Sequence, residues 1–112
     1  MKQINNYIQE KLYIGKDYQM VLSDDPIEAI SSILDKDEKI KGKYKIEDET
    51  DRYEGNVFNI KVRLSRSLTH DDWERGMKIL RQNMKQDKKY SDINVTGLSV
   101  PKPGEIYIFK KK

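Results

Sequence analysis

The chain has 112 residues, 37% charged and 36% hydrophobic, with a single histidine, no cysteine and a net charge of +3. That length suits one domain with one core, burying roughly two-thirds of the surface its unfolded form exposes. The missing cysteines exclude a disulfide framework, a thiol nucleophile and a cysteine-built zinc site. No apolar run approaches the ~20 residues that span a bilayer, and the opening residues lack the continuous apolar stretch of a secretory signal, so a cytoplasmic protein with no membrane partner is expected.

Charge divides unevenly. Residues 1 to 56 carry 9 basic and 13 acidic groups, whereas residues 57 to 112 carry 13 and 6. An acidic half followed by a basic half suits contacts with other proteins and permits head-to-tail self-association.

Ile4, Tyr7, Ile8 and Leu12 lie on one stripe of a short helix, which Gly15 ends. Residues 1–14 therefore read as an appendage to a domain spanning 15–112. Tyr18 to Leu22 has the length and composition of a strand. Asp25 caps a second helix, with Pro26 at its first position, Glu28 placed to reach back to the cap, and Ile27, Ile30, Ile33 and Leu34 on its buried face. Tyr44 and Ile46 alternate with charged residues, and a polar hairpin loop leads into the clearest strand, in which Phe58, Ile60, Val62 and Leu64 face one way.

Thr69 and Asp72 form a capping box for the strongest helix, with Leu68 and Trp73 as a hydrophobic staple. Trp73, Met77, Leu80 and Met84 make its core stripe. Ile93 and Val95 alternate before the phase shifts at Gly97 to Leu98 and Val100, which predicts a bulge. Pro101 to Gly104 turns the chain into a last strand, Glu105 to Phe109. The first six elements after residue 15 have the order of a split βαβ, ferredoxin-like antiparallel sheet, with both helices on one face. The initial helix and a final hairpin strand are additions to an α+β domain.

No catalytic constellation is present. His70 with Asp71, Asp72 and Glu74 is accounted for by capping and the helix dipole, and the acidic loop from Glu47 to Glu54 lacks the ligand spacing of a calcium site. No cofactor or metal is implied, and a non-enzymatic binding protein is the expected class. Two basic clusters could bind nucleic acid or an acidic partner. Lys43, Lys45, Lys61 and Arg63 would share the wet face of a hairpin, and Arg75, Lys78, Arg81 and Lys85 fall on neighbouring positions of the long helix. An open ferredoxin-like sheet invites comparison with single-stranded RNA readers, but Val57 to Arg63 lacks their aromatic pattern. A protein partner is thus expected ahead of nucleic acid.

The first ten residues, Met-Lys-Gln-Ile-Asn-Asn-Tyr-Ile-Gln-Glu, carry a further signal. Their Met-Lys start, Tyr7-Ile8 pair and Ile8-Gln9-Glu10 ending resemble the capsid-targeting propeptide of internal head proteins of T-even-like bacteriophages. The resemblance implies cleavage after Glu10, packaging in the virion, and action as an inhibitor or DNA-associated protein. It covers under a tenth of the chain and departs from the family at Lys11, where a small residue is usual.

Overall fold

In a computed structural model of the protein, residues 21–112 are described. They form two α-helices, α1 (Pro26–Leu34) and α2 (His70–Met84), and four strands, β1 (Tyr44–Asp48), β2 (Asn56–Leu64), β3 (Asn94–Leu98) and β4 (Glu105–Lys111). Single 3-10 turns follow β1 and α2, at Thr50–Arg52 and Lys88–Tyr90. The expected N-terminal helix, Glu10 and most of the strand beginning at Tyr18 lie outside the described residues. Val21 and Leu22 are irregular, Val21 exposed and Leu22 buried.

The capping chemistry forms as the side chains dictate. Asp25 Oδ1 accepts the Ile27 amide at 2.9 Å, and Pro26 takes the first helical position. Glu28 does not reach the cap; it accepts a hydrogen bond from Ser23 Oγ, which in turn receives the Asp25 amide. On α2, Thr69 Oγ1 accepts from the Asp72 amide and Asp72 Oδ2 from the Thr69 amide, closing the box reciprocally.

Among the described residues all strand pairings are antiparallel, in the order β1-β2-β4-β3. A split βαβ reserves the position beside β2 for the first strand of the domain, and here the last strand, β4, fills it. β4 is the strand best suited to the centre, because Ile106 and Ile108 are both fully buried. The bulge also differs from expectation. β3 pairs in continuous register through Gly97, so Leu98 simply faces the other side, and the register shift falls in β2 between Asn56 and Phe58.

One core joins the helices to a single face of the sheet. Ile30, Ile33 and Leu34 of α1 and Trp73, Leu80 and Met84 of α2 meet Phe58, Ile60, Val62, Leu64, Val95, Ile106 and Ile108, and Met77 packs at the rim. Trp73 fixes α2 against the β3–β4 end. Its Nε1 donates to the Glu105 carbonyl at 3.0 Å, and its ring lies against Gly97 and Gly104. Gly104 has φ +133°, and a Cβ there would come within 2.5 Å of the indole, so both backbone and packing require glycine. No helix among the described residues is long and apolar enough to cross a membrane.

Candidate functional site

The sheet face opposite the helices carries the chemistry. Cross-strand registers arrange it in rows: Lys45, Arg63, Glu105 and Leu98; then Glu47, Lys61, Tyr107 and Thr96; then Asn59, Phe109 and Asn94. No described helix lies over it. The turn after β1 folds towards its edge, where the Asn59 amide donates to Thr50 Oγ1 and the Glu49 amide to the Asn59 carbonyl.

Two of the expected hairpin cations are held by carboxylates. Lys61 Nζ lies 3.6 Å from both Glu47 and Glu49, and Arg63 Nε donates to Glu105 Oε2 at 3.0 Å while its Nη2 lies 3.6 Å from Glu47. Glu105 also accepts the Tyr107 hydroxyl at 2.9 Å. Burial alone would raise the Glu105 pKa, but the Tyr107 hydroxyl and the Arg63 and Lys61 cations outweigh it and hold the carboxyl below its usual value. Burial and that same carboxylate push Tyr107 up to about 12. Beside this network Asn59 is buried, its Oδ1 unpartnered among the described residues.

Lys43 and Lys45 stand apart from these pairs. Together with Arg63 and Arg66 they line a cleft of about 390 Å³ at the β1–β2 end, completed by Gly42, Tyr44, Leu64 and Ser65. Lys43, Lys45 and Arg66 make no ion pair among the described residues. The hairpin cluster therefore splits into a neutralised centre around Lys61 and Arg63 and a cationic corner. Arg66 belongs to that corner yet escapes a reading by strand alternation, because it lies past the end of β2.

The α2 cluster divides as well. Arg75 turns towards the loop after α1 and bonds Asp37 through two nitrogens and Asp72 at 2.8 Å. It is a structural clamp and does not belong to a basic patch. The Arg75 hydrogen bonds hold Asp37 below its ordinary pKa, and capping by Thr69 together with Arg75 brings Asp72 down to about 2. Arg81 Nη2 donates to the Val95 carbonyl at 2.8 Å, while Lys78 and Lys85 are exposed and form no ion pair among the described residues.

Tyr107 and Phe109 are the functional candidates that the sequence reading passed over. Both are half-buried in the middle of the open face. Their signal was the alternation of β4, where Ile106 and Ile108 point one way and the two aromatics the other. His70, by contrast, is an exposed residue stacked near Trp73, with ring centroids 4.9 Å apart and Nε2 at 3.9 Å from Glu74. No group of three metal-ligating side chains occurs among the described residues. Set against family models, curated proteins and solved structures, the chain matches none.

Proposed function

We propose that this chain is a small non-enzymatic binding protein that acts through protein–protein contacts, with the open face of the sheet as its contact surface. The observation that carries this reading is the pairing of Lys61 and Arg63 with Glu47, Glu49 and Glu105 around Tyr107 and Phe109. Phosphate recognition needs cations in excess, whose counterions are released on binding. A surface that balances its own charges around half-buried aromatics suits burial against another protein, where aromatics and arginine anchor the centre and unpaired charge is costly.

A second reading, nucleic-acid binding, draws on the cationic corner of Lys43, Lys45 and Arg66. Fluorescence anisotropy with labelled single- and double-stranded oligonucleotides across a salt series separates the two. Protein contact predicts weak association, with Kd above about 100 µM near physiological salt. Tight binding that falls steeply with salt, and that Lys61→Ala with Arg63→Ala abolishes, would overturn it in favour of nucleic acid. The same loss on Lys43→Glu with Arg66→Glu would assign nucleic acid to the corner.

A further inference from the structure

The two edges of the sheet differ in chemistry. β1 carries Lys45, Glu47 and Asp48, charges of the kind that keep an edge from pairing with another chain. β3 lies within Ile93 to Pro101, the longest uncharged run in a sequence that is 37% charged. It ends in exposed apolar side chains: Leu98 is 52% exposed and Val100 65%. No described segment pairs with its outer side.

The hydrogen-bond pattern fixes which backbone groups that side presents. The Glu49 amide reaches the Asn59 carbonyl, so the odd-numbered residues of β2 turn their backbone groups towards β1 and the even-numbered ones towards β4. Continued across the register, this turns Glu105, Tyr107 and Phe109 towards β3. Asn94, Thr96 and Leu98 answer them, which turns the amides and carbonyls of Val95 and Gly97 towards the outer edge. The Arg81 hydrogen bond to the Val95 carbonyl agrees with that assignment.

Arg81 also ties a helical stripe to this edge. Lys78, Arg81 and Lys85, spaced three and four apart, share one flank of α2. The core-facing Trp73 and Met77 approach Gly97 while Arg81 approaches Val95, so α2 runs along β3 with this flank overlooking the free edge. The three cations have no carboxylate partner among the described residues.

From this juxtaposition we infer that the β3 edge accepts an extended acidic segment of a partner protein as an added strand. Alternate side chains of that strand are acidic, facing Lys78, Arg81 and Lys85. The others are apolar or small and lie beside Thr96 and Leu98 on the open face. Main-chain hydrogen bonds to the Val95 amide and to the Gly97 amide and carbonyl supply the pairing, the Val95 carbonyl being held by Arg81, and the alternating side chains supply the specificity. A second copy of this chain fits less well, because pairing β3 with β3 brings two such cationic flanks together.

The inference rests on the protein-contact reading, and its test separates the two. The full chain, labelled with ¹⁵N, is titrated with a decapeptide alternating glutamate with valine or threonine, with the lysine counterpart, and with a single-stranded oligonucleotide. The expected result is binding of the glutamate peptide alone, with amide shifts centred on Val95 and Gly97, weakened at least tenfold by Lys78→Glu with Lys85→Glu. These two side chains are exposed, so the variant keeps its fold, which its unperturbed core amides verify. Shifts centred on Lys43, Lys45 and Arg66, equal binding of the lysine peptide, or no effect of the charge reversal would overturn the edge assignment while leaving a protein partner in place. Tighter binding of the oligonucleotide would overturn the protein-contact reading itself. A concentration-dependent dimer at micromolar protein, seen by sedimentation and lost with Thr96→Lys, would replace the acidic strand with a second copy.

Discussion

At the scale of single residues, Trp73 and Arg75 secure α2 in different ways. Trp73 does so by shape: a Cβ at Gly97 would stand 2.8 Å from the Glu105 carbonyl and 2.9 Å from the indole. Gly97→Ala is therefore expected to cost about 1 to 3 kcal/mol by overpacking in urea unfolding, and a loss below about 0.5 kcal/mol would show that β3 moves away easily. Arg75 acts by charge, and its contribution depends on pH. Asp37 and Asp72 have folded pKa values below the ordinary 3.8, so the stability they contribute is complete above about pH 4. It is lost as pH falls towards the Asp72 value of about 2. The gap in unfolding midpoint between the wild type and Arg75→Gln should accordingly narrow from pH 5 to pH 2. A gap independent of pH would mean that Arg75 stabilises only through packing.

At the scale of elements, the two described helices were legible because their signals are local. The Thr69–Asp72 box and the spacing of Trp73, Met77, Leu80 and Met84 require only a turn or two of chain, and they fix both the start of α2 and its buried face. Leu80 is fully buried, and Leu80→Ala should cost ~2 to 5 kcal/mol as a cavity opens between α2 and the sheet. Strand order was less legible, since alternation reveals a strand's faces and not its neighbours. The two faces of β4 could be read from Ile106 and Ile108 alternating with Tyr107 and Phe109, but its place between β2 and β3 could not. The same holds for Arg75, which lay among basic neighbours in sequence while its partner Asp37 was 38 residues away. Helical spacing grouped it with Lys78 and Arg81; the fold separates them.

For the whole molecule, charge is arranged by surface more than by half of the chain. Acidic residues of the first half neutralise basic residues of the second between β1, the turn after it and β2, in the contacts of Lys61 and Arg63 with Glu47 and Glu49. Among the described residues, the cations without a carboxylate partner include the corner at Lys43, Lys45 and Arg66 and the flank of α2 above β3. The open face between them, centred on Tyr107 and Phe109, is the surface proposed to meet a protein. Affinity capture from lysate of the native source, run with and without nuclease, bears on that claim, with wild-type protein and a folded Phe109→Asp variant as baits. The wild type is expected to recover a protein in stoichiometric amount, and the variant to lose it. Recovery only of nucleic acid, abolished by the nuclease and indifferent to Phe109→Asp, would contradict it.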